Sequence, residues 1–450
     1  MDEIQNNPLG TAPVGKMMMK FAIPSIIAML VGSIYNIVDQ LFIGNCVGAL
    51  GNAATNVAFP INIMCIAVAL LFGIGGASAF NLRMGKRDVD DAPYIIGNAV
   101  TAVMLFGVFI SVITLLFTKN ILGFCGAPEE VMPYALPYVT ITAIGFPFLI
   151  VTVAGGHLIR ADGKPHITMT SSILGAVINV VLDALFVPVL GYGMQGAAWA
   201  TVIGQVISGI YSLYHLTHLQ TVPISSEHFV LKLCHVKESA SLGIASCFNQ
   251  LSMLVVQVVL NNSLTYYGGQ SHYGSAIPLA VAGVVIKTSQ VMFSIIIGIA
   301  QGSQPLESFN YGAKNYARVK KSLRLALLLG AIVSVFSFTM FQFFPRQILR
   351  MFGDGTPEYY EFGVRYFRIF LFFICINFIQ PIVATFFTSI GKPIKGIFLS
   401  LSRQIILFLP LLIIFPRIMG IDGILWTGFT ADGTAAVIAT LMGIYEAKKL

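Results

Sequence analysis

Two aspartates stand inside runs that are otherwise apolar: Asp39, within Asn36-Ile37-Val38-Asp39-Gln40, and Asp183, within Asn179-Val180-Val181-Leu182-Asp183. An ionised group in a membrane helix costs roughly 2.5–3.5 kcal/mol even on a lenient insertion scale, so each such group is a functional candidate. Lys287 and Arg403 are the other two ionisable residues read within apolar runs. Asn179 and Asp183 are spaced i and i+4, which puts them on one helix face. The helices holding the two aspartates run in the same direction, and a rise of 1.5 Å per residue sets both carboxyls roughly 6–10 Å below one membrane face. Thr201, on the helix that returns from that face, begins at the same level. Asp39, Asn179, Asp183 and Thr201 therefore form a candidate cation-coupling set of two carboxylates, an amide and a hydroxyl. Paired carboxylates can share a proton, and the same hard oxygens can hold Na⁺; the residue types suit both. No catalytic residue and no cofactor beyond the coupling ion, H⁺ or Na⁺, is expected.

The second half of the chain lacks this pair: Leu264 and Pro410 stand near the corresponding positions. Its polar residues are Gln250, Gln257 and Asn261 at helical spacing, then Lys287 and Gln290, then Asn377 and Gln380. Together with Tyr35 and Asn36, the residues Gln250, Gln257, Lys287, Gln290, Asn377 and Gln380 are candidates for a substrate cavity wall; interhelical hydrogen bonding is the alternative for part of the set. Arg403, about eight residues into its helix, can snorkel to the membrane surface. Pro24 lies fifteen residues before Asp39 on the same helix, so a bend there is a candidate hinge.

Only a membrane can position these groups. The chain of 450 residues is 56% hydrophobic and 10% charged, against roughly 25% charged for soluble domains. Apolar runs of the roughly 20 residues that span a bilayer cover about 17–43, 54–82, 92–117, 134–157, 167–190, 195–218, 238–265, 276–304, 319–344, 360–389, 395–415 and 421–446. Lys and Arg gather before the first run and after the second, fourth, sixth, eighth and tenth, while the opposite loops hold only Lys119, Arg346, Arg350 and Arg417. The positive-inside rule then puts both termini in the cytoplasm and makes the helix count even. The polar opening, Met1 to Gly15, does not read as a cleaved signal peptide.

The chain repeats itself. Gly163-Lys164-Pro165 recurs as Gly391-Lys392-Pro393, Gly196-Ala197-Ala198-Trp199 as Gly423-Ile424-Leu425-Trp426, and Phe80-Asn81 leading to Gly85 as Phe309-Asn310 leading to Gly312. The expected fold is an all-α polytopic membrane protein of twelve transmembrane helices, arranged as two pseudo-twofold-related six-helix bundles with a cavity between them. The corresponding division is a first lobe over 1–218, a cytoplasmic linker over 219–237 and a second lobe over 238–450.

Other classes fare poorly. The net charge of +7 lies in short loops at helix ends, where topology demands it, so no nucleic acid partner is expected. The six cysteines show no CxxC spacing and read as packing residues. Gly73-Ile74-Gly75-Gly76 sits within an apolar run, so it is no phosphate loop, and without a Walker motif this chain alone is no ATP-driven pump.

Asp39 ahead of Phe42-Ile43-Gly44, Asn179 with Asp183, the paired Gly-Lys-Pro turns and the paired Gly-x-x-Trp segments resemble the multidrug and toxic compound extrusion (MATE) family over nearly the whole chain, in the prokaryotic branch typified by MepA and DinF. The resemblance implies a V-shaped twelve-helix fold and export of cationic, amphipathic drugs in exchange for H⁺ or Na⁺. It also implies a first-lobe cation site at Asp39, Asn179, Asp183 and Thr201, and a helix bent at Pro24. Another branch has acidic residues in the seventh and tenth helices; here those helices offer Asn249, Gln250, Asn377 and Gln380, so a second-lobe ion site is not carried over. The expected partners are small organic molecules and membrane lipids, and the expected state is a monomer. A lipid-linked oligosaccharide flippase of the same superfold is the alternative, although it calls for a strongly basic cavity. A channel or scaffold would leave the carboxylate pair and the repeat without a purpose.

Overall fold

The computed structural model describes residues 7–125, 127–274, 276–352 and 355–449; the first six residues of the polar opening lie outside them. The helices long enough to cross a bilayer are α1 (Val14–Cys46), α2 (Ala49–Lys86), α3 (Ala92–Phe124), α4 (Met132–Ala161), α5 (Pro165–Ala184, extended by a π-helical turn Leu185–Val189), α6 (Gly193–Leu216), α7 (Leu233–Gly269), α8 (Ala276–Gly312) and α9 (Tyr316–Phe343). Next come α10, in pieces (Pro357–Phe370, Ile374–Asn377, Ile379–Ser389), α11 (Pro393–Leu401, a π segment Ser402–Phe408, Leu409–Met419) and α12 (Ile421–Lys449). Eleven of these pass singly as membrane spans, and the two main pieces of α10, bent by 43°, complete the expected twelve. Several helices outrun the expected bounds. At 38 residues, α2 is about 57 Å long at 1.5 Å per residue and continues into its polar flank until Arg87 turns left-handed at φ 65°.

The repeat seen in the sequence is also a repeat of geometry. Gly163 and Gly391 both take positive φ, 87° and 72°, which glycine adopts without penalty; in each turn the following lysine caps a helix that opens on proline. In the paired Gly-x-x-Trp segments the glycine lets its helix approach the preceding one. A Cβ on Gly196 would lie 3.0 Å from the carbonyl oxygen of Phe186, and one on Gly423 would lie 2.4 Å from that of Phe415. The third repeated glycine meets its own counterpart, for a Cβ on Gly85 would lie 2.9 Å from Cα of Gly312.

The halves join through α1 against α8 and α2 against α7, which are equivalent pairs under the pseudo-twofold. Backbone approaches backbone there. A Cβ on Gly75 would fall 1.9 Å from the Ser239 carbonyl oxygen, one on Gly243 1.8 Å from that of Leu71, and one on Gly302 2.6 Å from Cα of Ala22. Arg83 at the end of α2 pairs with Glu238 of α7 at 2.7 Å and with Asp91 and Asp88 at 2.6 and 2.8 Å. Gln304 donates to the Ile74 carbonyl and to Ser78 Oγ. Among the described residues, these cross-half hydrogen bonds and glycine contacts lie toward the end rich in Lys and Arg, the farthest from it being Ser33 Oγ to Ser294 Oγ at 2.6 Å. The molecule is closed at that end.

The connection between α6 and α7 is tied down as well. Asp162 accepts from the backbone N–H groups of Gln220 and Thr221 and from the Thr221 hydroxyl, and Asn98 bridges the Lys232 N–H and the His228 carbonyl. The cysteines correct one expectation. Only Cys65 is fully buried; Cys46 and Cys234 are exposed, and all six are free.

Candidate ion and substrate site

Helices α5 and α6 are drawn together by a stripe of small and polar residues. Ser171, Gly175, Asn179 and Asp183 recur every fourth residue on α5, facing Ser212, Ser208, Gly204 and Thr201 on the antiparallel α6. Ser171 Oγ lies 2.9 Å from Ser212 Oγ, and a Cβ on Gly204 would stand 2.8 Å from the Gly175 carbonyl oxygen. Close packing of this kind needs small residues at the interface. At the end away from the Lys- and Arg-rich loops the stripe delivers Asn179, whose Nδ2 donates to Thr201 Oγ1 at 3.3 Å, and then Asp183, fully buried. The π-helical turn follows immediately at Leu185, a distortion common beside functional groups.

Helix α1 packs on α5 and brings Asp39 beside Asp183, near enough for one carboxyl to hydrogen-bond the other when a single proton is shared. Tyr35, one turn earlier, and Tyr138 from α4 face the same two carboxyls. Among the described residues, four buried oxygens here find no hydrogen-bond partner: Asp39 Oδ1, Asn179 Oδ1 and both carboxylate oxygens of Asp183. An unpartnered buried polar atom is costly, and three of these four belong to the two neighbouring carboxyls, which makes this cluster the candidate ion site. Tyr138 was not singled out by the sequence; its only signal is a polar aromatic in the outer half of α4. Asn36 is exposed and gives its amide to the Gly32 carbonyl at 2.7 Å.

The second half is more highly charged inside than the sequence reading allowed. Asp432 on α12, nearly fully buried, accepts from Arg403 Nε at 2.7 Å and from Asn377 Nδ2 at 2.9 Å. Arg403 therefore does not snorkel; it sits in the π segment of α11 and answers a carboxylate overlooked in the apolar run of α12. Asn377 and Gln380 were expected on a cavity wall. Both are buried, the first held by Asp432 and the second donating to the Leu399 carbonyl at 3.1 Å, so interhelical bonding is what they do. Glu307 on α8 is another missed carboxyl, wholly buried, with neither oxygen hydrogen-bonded.

The remaining candidates are less enclosed. Gln250 is half-buried, and Gln257 donates to Asn261 Oδ1 at 3.0 Å. On α8, Lys287, Gln290 and Ser294 follow one face from the Ser33 contact toward the open end. Lys287 is half-buried and makes no hydrogen bond or ion pair with a described residue. Pro24 lies within a helix that continues unbroken from Val14 to Cys46.

A polytopic helical membrane protein in two equivalent halves, closed at one end, with a donor-poor acidic site in the first half, has the architecture of MATE/MOP transporters. The model of the family described as MatE matches residues 24–185 and 245–414, and the chain belongs to that family. It is 24% identical over 425 residues to the multidrug export protein MepA of Staphylococcus haemolyticus, covering 94% of this chain and 92% of that one. Among solved structures it superposes at a TM-score of 0.91, with 22% identity and 98% of both chains covered, on one described as the outward-facing conformation of a multidrug resistance MATE family transporter of the MOP superfamily. A MOP superfamily transporter from Pyrococcus furiosus, described as having a binding pocket of reversed polarity that suggests a different function, gives 0.90 at 22% identity, covering 98% of this chain and 97% of that one.

Proposed function

We propose that this protein is a secondary antiporter of the prokaryotic inner membrane that exports cationic, amphipathic organic compounds in exchange for H⁺ or Na⁺, with both termini cytoplasmic. The single observation behind the coupling site is that Asp39 stands beside Asp183 and Asn179 with four of their oxygens buried and without a hydrogen-bond partner among the described residues. A carrier needs a site that is satisfied only while its ion is aboard, because an empty site must favour recapture over leak. Thr201 accepts from the Asn179 amide at 3.3 Å and so fixes that side chain beside Asp183. Ion occupancy changes the charge between α1 and α5, and α1 also contacts the second half through Ala22, Ile26 and Ser33; Pro24 lies among these contacts as the candidate bend.

The name of the Staphylococcus relative supports drug export, and two buried acids against few free bases disfavour a pyrophosphate-binding flippase. A second reading has one observation behind it. The unpaired Lys287 ammonium would suit a substrate bearing an acidic group. The test is resistance of an efflux-deficient host to ethidium and quaternary ammonium compounds. Expression should raise resistance, and Asp39→Asn and Asp183→Asn should each abolish it at normal membrane abundance. Full resistance in either variant would remove that residue from coupling. Resistance to acidic dyes alone, lost in Lys287→Ala, would favour the second reading.

A further inference from the structure

On the flank of the second half, α9, the last part of α10 and α12 enclose an open groove of about 540 Å³, within the roughly 300–1,000 Å³ of small-ligand sites. Its inner residues Leu323, Phe378 and Val383 continue into the core that Met18 and Ala22 of α1 join. Its lining is apolar: Leu323 and Leu327 form one wall, Phe378 and Val383 the floor, and Ile444 the other wall. The hydroxyl of Thr440 is given to the Ala436 carbonyl, so it offers the groove no donor. Nearby Leu328 and Leu441 are exposed apolar residues of the lipid-facing belt.

One end of the groove is basic. Lys320 and Arg324, one turn apart on α9, stand across from Lys448 on α12. None of the three makes an ion pair or hydrogen bond with a described residue, and Arg324 and Lys448 are exposed. The acids on the lining helices do not neutralise them. There are none in α9 or in the last part of α10. On α12, Asp422 is held by Arg365 and Asp432 by Arg403, and the fully buried Glu446 is shared between Lys392 and Lys395. Three uncompensated cations thus crown an apolar slot that runs about 10 Å from Lys320 to Leu327 at 1.5 Å per residue. The cations lie at the membrane end where Lys and Arg gather.

We propose that this groove binds an anionic phospholipid of the leaflet facing the Lys- and Arg-rich loops, its phosphate held by Lys320, Arg324 and Lys448 and one acyl chain lying along Leu323, Leu327 and Phe378. A soluble anion would leave the slot unfilled, and a zwitterionic lipid would bring its own cation against three others. Basic pockets between membrane helices select anionic headgroups for this reason. The occupant would clamp the lower part of α10, the broken helix, between α9 and α12.

The test is native mass spectrometry of the delipidated full-length protein titrated with phosphatidylglycerol, phosphatidylcholine or inorganic phosphate. Phosphatidylglycerol is expected to bind at least tenfold more tightly than phosphatidylcholine, with the difference erased in the triple variant Lys320→Ala, Arg324→Ala, Lys448→Ala. Leu327→Trp keeps the cations and fills the slot, and it should weaken phosphatidylglycerol to a similar degree. Equal binding of the two lipids, unchanged binding in both variants, or displacement of the lipid by phosphate alone would each overturn the proposal.

Discussion

Arg403 and Asp432 show what one buried charge demands of its neighbours. The carboxylate is nearly sealed from solvent and is held by a guanidinium and an amide. Removing one partner of a buried pair costs roughly 3–5 kcal/mol, whereas replacing both by apolar residues of similar volume is often neutral. Arg403→Ala should therefore lower the thermal unfolding midpoint of the detergent-purified protein by many degrees, and Arg403→Met with Asp432→Leu should recover most of the loss; an Arg403→Ala protein as stable as the wild type would contradict this. At this scale the sequence was legible where the argument was local. Asn179 and Asp183 declared themselves by i, i+4 spacing, and Thr201 by its depth. Asp432 escaped because the Thr430-Ala431-Asp432-Gly433 stretch reads as a mildly polar part of a long run. Its partner Arg403 then lacked an explanation. Tyr138 escaped because no periodicity says which helix lies beside α1.

At the scale of helices, the interface between halves is decided by glycines. Gly75 and Gly243 admit the opposing backbone so closely that a methyl group has no room. Gly75→Ala should force α2 from α7 and open the Lys- and Arg-rich end; spin-label distances between the neighbouring ends of α2 and α7 should lengthen in the variant, and identical distributions would refute the packing argument. Pro24 acts within one helix, removing a backbone hydrogen bond from the part of α1 that contacts α8 at Ala22 and Ile26. Pro24→Ala should slow turnover without abolishing drug binding, and normal turnover would retire the hinge. The Gly-Lys-Pro turns were legible because proline and positive-φ glycine leave little choice of geometry. The break in α10 was not. It falls at Leu371–Phe373 with no proline or glycine to mark it. Phe370 and Phe373 instead seat against Gly428 and Gly433 of α12, a tertiary cause that no local pattern announces.

For the whole molecule, the equivalent pairs α1–α8 and α2–α7 join the halves, among the described residues, toward the Lys- and Arg-rich end. We infer that the cycle alternates between this arrangement and one closed at the other end, breaking Arg83–Glu238 and Gln304–Ser78 on the way. Twelve spans and the twofold repeat were legible because lipid imposes span length, and because duplication leaves motifs in register. Which end is closed was not legible, since one sequence must be compatible with both arrangements. The measurement that bears most directly on coupling at the first-half oxygens is ethidium efflux from proteoliposomes, driven in turn by a pH gradient and by a Na⁺ gradient, with Asp39→Asn and Asp183→Asn proteins alongside. One gradient should drive efflux in the wild type, and both variants should fall to the level of protein-free vesicles. Gradient-driven efflux that survives in both variants would contradict it.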